Sequence, residues 1–297
     1  MVRKHVITTS ERGIVEDLLP YRLYQKAKRF GIWNPQDIDF SKDREDWKSL
    51  NEVQQEDILR VIAQFQGGEE AVTLDLLPLI MAIAKEGRIE EEMFLTTFLF
   101  EEAKHTEFFR NVLNIIGEKG DLSHFHTPIY KKIFFEILPN AMEKIVYDQS
   151  PEAIAEAATV YNMFVEGVLA ETGYYSFYIS LDKAGIMPGL MKGIGLLKRD
   201  ESRHIGYGTY LLQRLISEHP HIFDLVSNKM EELAPLALQL NQEGIAGREM
   251  SSFGNPTEET MQYTMKQLSI RMEILSRARG KKIEEIYKTN EADVGVI

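Results

Sequence analysis

Two short stretches of this chain place a carboxylate and an imidazole one helical turn apart. Glu102 and His105 form the first pair, and Glu201 and His204 form the second. Residues at i and i+3 share one face of an α-helix. Both pairs lie in apolar helical patterns, with Leu95, Phe98, Leu99, Phe108 and Phe109 around the first. A buried stripe accommodates such a pair only when something compensates the charge, and a metal ion does so. Each pair also follows a lone glutamate in an earlier apolar stretch, Glu69 before the first and Glu166 before the second. A single Glu-x-x-His is weak evidence. Glu218 and His221 make a third match, but Pro220 sits between them at a helix junction, which reads as surface. The ordered set of six is specific. Two lone glutamates plus two Glu-x-x-His pairs, from four helices, are the ligand set of a dinuclear carboxylate centre in a four-helix bundle. Such ligands suit iron or manganese, and the ligands alone do not choose between them.

The elements that must position these residues read as helices almost throughout, so the fold class is all-α. Residues 1–18 are expected to form an irregular arm, followed by a helix from about Tyr21 to Arg29 that stops at Gly31. From Ile32 to Trp47, a proline and repeated aspartates break the periodicity and predict a loop. Apolar residues recur at helical spacing from Leu50 to Ile80, with Gly67-Gly68 expected to interrupt that helix just before Glu69. Ile89 to Ile116 predicts one long helix ending at Gly117. Further helices are expected from Pro128 towards Val146, from Pro151 to about Leu181, from Met187-Pro188 through Glu201, and near 220–245 and 257–288. His124, His126, His219 and His221 are expected in exposed loops. Residues 289–297 are expected to be a flexible tail.

Composition narrows the function. The 297 residues are 44% hydrophobic and 27% charged, with a net charge of −12, which argues against a general nucleic-acid or anionic-membrane surface. Unbroken helical patterning without a linker predicts a single domain over 1–297. No signal peptide and no apolar run long enough to span a bilayer is found, so the expected location is cytoplasmic. The absence of cysteine excludes disulfides, thiolate metal sites and cysteine nucleophiles.

Beyond the ligands, Trp33-x-Pro35-x-Asp37-Ile38-Asp39, Asp43, Asp46-Trp47 and Arg199-Asp200-Glu201-x-x-His204 resemble the ribonucleotide reductase small-subunit family, within the ferritin-like superfamily. The resemblance covers roughly residues 25–245 and implies a ferritin-like four-helix bundle elaborated with additional helices. It implies that Glu69, Glu102 and His105 hold one metal and Glu166, Glu201 and His204 the other, with Glu102 as the bridge. Asp200 would orient a ligand histidine, and Trp33 would match the tryptophan that relays electrons.

Two departures shift the expected activity. The position four residues after the first histidine ligand, a tyrosine in tyrosyl-radical reductases, is Phe109, and the first ligand is Glu69 rather than aspartate. Both also occur in manganese/iron reductases and in the ligand-binding oxidase branch. Resemblance to that branch implies manganese at Glu69/Glu102/His105, iron at Glu166/Glu201/His204, and dioxygen as oxidant. Two iron ions are the alternative. It also implies a long-chain fatty acid or similar hydrophobic ligand, a homodimer, and an ether bond between Val72 and Tyr161. Val72 lies one turn after Glu69 and shares its face, whereas Tyr161 is about 140° from Glu166 on an ideal helix. A π-bulge or Gly167 must turn it inward; ordinary core packing is the plainer reading of both residues. Gly68, Phe109, Ala170 and Tyr174 are the expected cavity residues. A manganese/iron reductase subunit and a ferroxidase or iron-storage protein remain the alternative functions.

Overall fold

The computed structural model describes residues 6–245 and 247–296. Its helices, in chain order, are α1 (Leu19–Phe30), α2 (Ser41–Ser49), α3 (Glu52–Glu86) and α4 (Ile89–Ile116). α5 comprises Pro128–Lys131, a π-helical stretch Lys132–Ile137 and Leu138–Tyr147. α6 comprises Pro151–Ala158, a π-helical stretch Thr159–Ala170, Glu171–Phe177 and a second π stretch Tyr178–Asp182. α7 (Pro188–Glu218), α8 (Ile222–Ile245), α9 (Thr257–Ser276) and α10 (Ile283–Ile286) complete the chain. No β-strand occurs among the described residues. The fold is the expected ferritin-like bundle, with α3, α4, α6 and α7 carrying the candidate ligand residues.

Local chemistry sets the helix ends. Asn51 and Gln54 form a capping box at the start of α3, and Gly87 closes it with φ 74°. α4 opens on Glu90, Glu91 and Glu92, where negative charge suits the positive end of the helix dipole, and closes at Gly117 as the sequence predicts. The aspartates of the predicted loop act at the start of α7. Asp43 accepts hydrogen bonds from the backbone N–H groups of Gly189 and Leu190 at 2.8 and 2.7 Å, and Asp46 accepts from Met187 at 2.7 Å. The segment ahead of α3 thereby anchors the helix that carries Glu201 and His204.

Several local expectations are corrected. Ser41–Ser49, read as loop, is helical. α3 runs unbroken through Gly67-Gly68. Each glycine costs a helix about 1 kcal/mol relative to alanine, and packing overrides that cost. A Cβ at Gly67 would lie 2.8 Å from Tyr130 Oη, so its bare backbone is what admits α5. His126 is half-buried, with Nε2 3.1 Å from the Ala63 carbonyl oxygen. The helix expected over 257–288 breaks after Ser276. Residues 289–296 are no free tail: Val294 and Val296 are buried, Val296 beside Gly206 of α7. The amino-terminal arm is likewise pinned, by Arg12 donating to both Glu90 oxygens at 2.9 Å. Finally, Pro151–Asp182 is by length and composition apolar enough to cross a membrane, a run that the sequence reading passed over. Its apolar window is 83% buried within the protein, the placement of a core helix.

Candidate metal centre

All six candidate ligands come together in the bundle core, and all are buried. They form two overlapping groups, Glu69/Glu102/His105/Glu201 and Glu102/Glu166/Glu201/His204. Glu102 presents Oε1 to His204 Nδ1 at 3.0 Å and Oε2 to His105 Nδ1 at 3.8 Å. Glu201 does the same in mirror fashion, with Oε1 3.3 Å from His105 Nδ1 and Oε2 3.4 Å from His204 Nδ1. Both carboxylates therefore face both halves of the site, where the sequence singled out only Glu102. Glu69 closes the first half at 3.6 Å from His105, and Glu166 the second at 3.8 Å from His204.

Electrostatics fit this donor set to a pair of cations. The inward Nδ1 atoms of both histidines, both oxygens of Glu102, Glu166 Oε1 and Glu201 Oε2 are buried with no hydrogen-bond partner. A cluster of orphaned lone-pair atoms of this kind is costly unless cations fill it. Burial, reinforced by the neighbouring glutamates, pushes the Glu69 carboxyl up to about 8. Burial and the Glu201 charge likewise raise Glu166 well above the carboxylate range. For Glu102 burial acts upward too, but the two flanking histidines prevail and hold it at about 2.

The histidines are oriented from outside. His105 Nε2 lies 3.3 Å from Asp200 Oδ2, and His204 Nε2 lies 2.8 Å from Glu101 Oε2. A carboxylate on the outer nitrogen fixes the tautomer that offers Nδ1 to a metal. Asp200 thus orients the histidine of the opposite half, and so does Glu101. Asp200 also accepts from Trp33 Nε1 and Lys104 Nζ, each at 2.7 Å, and from Arg203 at 2.6 Å. Arg203 donates to Glu101 Oε1 at 2.6 Å as well. Although burial opposes ionisation, His105, Lys104 and Arg203 hold the Asp200 carboxyl well below the usual range. Trp33 stacks beside His105 and Phe98 on His204, at centroid distances of 6.2 and 3.6 Å.

Sequence reasoning missed Glu101, Lys104 and Arg203, although the signal was present. Glu101-Glu102-Ala103-Lys104-His105 and Asp200-Glu201-Ser202-Arg203-His204 share the order acid, glutamate, any residue, base, histidine. It also missed Asn162, whose Nδ2 donates to Glu166 Oε2 at 2.9 Å. Gly208 makes room for Asn162, since a Cβ there would lie 2.2 Å from the asparagine Cβ.

Tyr161 is buried, and its hydroxyl donates to the Val72 carbonyl oxygen at 3.0 Å. The π-helical stretch Thr159–Ala170 carries both Tyr161 and Glu166 and turns them to the same side, which an ideal α-helix does not do. A cavity reaches the ligands Glu69, Glu102, Glu166 and Glu201, and Val72, Gly68 and Ala170 line it. Phe109 and Tyr174, expected in that wall, do not line it. Both stack on Phe65, each at 5.0 Å, and Phe65 forms the wall.

Residues 20–264 match the family model described as ribonucleotide reductase, small chain. The chain is similar to the solved structure of an R2-like ligand-binding oxidase with an aerobically reconstituted Mn/Fe cofactor, at 41% identity and TM-score 0.86, over 92% of this chain and 98% of that one. Glycine-to-leucine variants of such an oxidase are similar to it over the same shares. One has a non-activated Mn/Mn cofactor (42%, TM-score 0.87) and one an Fe/Fe cofactor (40%, TM-score 0.86).

Proposed function

Because the chain belongs to the ribonucleotide reductase small-chain family, we propose that it works as its ligand-binding oxidase relatives do, as a dioxygen-dependent oxidoreductase with a manganese/iron centre. Manganese is assigned to Glu69, Glu102 and His105, and iron to Glu166, Glu201 and His204. Glu102 and Glu201, whose oxygens face both histidines, would be available to both metals. Metals held by these residues would supply two of the four electrons that convert dioxygen to water, the oxidised substrate supplying the other two.

The chain's own residues do the rest. Four carboxylates match the positive charge of the pair, and Asp200 and Glu101 hold the two imidazoles with Nδ1 inward. The cavity wall, which includes Phe65, Val72, Phe134, Leu169 and Phe177, keeps the oxidation away from bulk water. An apolar cavity ending on metal-binding carboxylates supports a hydrophobic ligand, and a long-chain fatty acid with its carboxylate at the metals is the form proposed here.

Val72 and Tyr161 are the internal substrate. Forming an ether bond between them removes one hydrogen from the Val72 side chain and the phenolic hydrogen of Tyr161, as two protons and two electrons. The observation that carries this reading is the 3.0 Å hydrogen bond from Tyr161 to the Val72 carbonyl, which holds the phenol against that residue beside the metal ligands. Peptide mass spectrometry tests it on metal-free protein reloaded with manganese and iron, before and after air. Linked peptides containing Val72 and Tyr161, lighter by two hydrogens, are expected only after air. Unlinked peptides from protein shown to hold both metals would overturn the cross-link and favour a reductase subunit.

A further inference from the structure

The cavity is not apolar along its whole length. Arg60, Gln64, Gly68 and Val72 recur every four residues on α3, so they form one stripe of that helix, and all four line the cavity. Two donors on this stripe are buried with no hydrogen-bond partner, Nε of Arg60 and Nε2 of Gln64. Leaving a buried donor unmatched is costly, and folded proteins match nearly all of them. Other parts of both residues are already engaged. The Arg60 guanidinium donates to Glu56 at 2.8 Å and lies over the Phe125 ring, and the backbone carbonyl of Gln64 accepts from Tyr130 Oη at 2.9 Å. The two spare donors lie one helical turn apart on the same stripe. The acid on the same wall, Asp57, is neutralised by Arg248.

We propose that Arg60 and Gln64 form a second polar subsite of the cavity, which takes an oxygen acceptor on the ligand, so that the ligand is an acyl chain polar at both ends. The proposal rests on the fatty-acid reading above and narrows it. Gln64 and Arg60 precede the metal ligand Glu69 by about 7.5 and 13.5 Å of helix rise, and side chains on a helix lean towards its amino terminus. Apolar wall lies between, including Phe65, Val165 and Leu169. A chain with one carboxylate at the metals reaches this subsite with its far end, and a guanidinium N–H beside an amide N–H gives a second carboxylate two donors, one of them on a charged group.

Calorimetric titration of lipid-stripped, metal-loaded protein tests this with decanoic, dodecanoic and tetradecanoic acids and the α,ω-dicarboxylic acid of each length. At one length or more the diacid is expected to bind about tenfold tighter than the monoacid, the scale of one hydrogen bond to a charged group. Gln64→Leu and Arg60→Met are expected to erase that advantage. Gln64→Glu, which puts an acceptor in place of the donor, is expected to reverse it. Diacids binding no tighter than monoacids at every length would overturn the subsite while the fatty-acid reading stands. If neither series binds, the fatty-acid reading itself fails and the subsite falls with it.

Discussion

The hydroxyl of Tyr161 donates to the carbonyl oxygen of Val72 across 3.0 Å, tying the π-helical part of α6 to α3 beside the metal ligands. Within α3 that carbonyl already accepts a helical N–H, so the phenol uses its second lone pair and leaves the helix intact. Tyr161→Phe is expected to remove the linked peptide from the mass spectrum after aerobic loading. Loss of one buried hydrogen bond should also cost about 1 kcal/mol, read as a lower denaturant midpoint of the metal-free protein.

Asp200→Asn is expected to loosen His105 and weaken metal binding in the Glu69 half by roughly 10–100-fold. Because Glu101 orients His204, Glu101→Gln is expected to do the same in the Glu166 half. Metal titration of the two variants separates them, and equal losses in both halves from either variant would contradict the crossed arrangement.

Metal uptake is expected to release protons, and affinity to fall as pH drops. Burial raises Glu69 to about 8, so at pH 7 the metal-free site holds a proton there that the cation must displace. His105 and His204, which burial alone would lower, are held well above their usual value by the surrounding carboxylates, so they add protons of the same sign. Affinity should therefore climb from pH 6 towards pH 8. Indicator-dye measurements in weak buffer should show more protons released at pH 6.5 than at pH 8.5.

Gly31→Ala is expected to damage the site from outside it. A Cβ at Gly31 would lie 1.7 Å from Glu101 Oε1 and 2.9 Å from Arg203 Nη2. Overpacking of this kind typically costs about 1–3 kcal/mol. Displacement of Glu101 should also reduce metal binding at His204 more than at His105, which metal analysis of purified protein would reveal.

Gly68→Leu should fill the cavity where it passes α3. Phe134 lies 3.4 Å from a Cβ at Gly68, so the first carbon fits and the remainder of the leucine must project into the ligand space. Native mass spectrometry is expected to show metals retained and acyl ligand lost.

The six candidate ligands and the bounds of α4 were legible in the sequence because both are local. An i, i+3 pair shares a helix face whatever the rest of the chain does, and Gly117 ends a helix by its own backbone freedom. The acids and bases flanking the ligands were legible as a repeated pattern, but not their pairing. Only the packing of α4 against α7 decided that Asp200 serves His105 and Glu101 serves His204. Gly68 and Ala170 line the cavity as expected, but its aromatic wall was misread for the same reason. Phe65 stands in front of Phe109 and Tyr174, and no periodicity along one helix tells which of three stacked aromatics faces the cavity. Continuity of α3 through Gly67-Gly68 and the π-helical turn that brings Tyr161 to Val72 oppose local preference. Tertiary contacts set both, because burial of the neighbouring helices outweighs about 1 kcal/mol of propensity per residue.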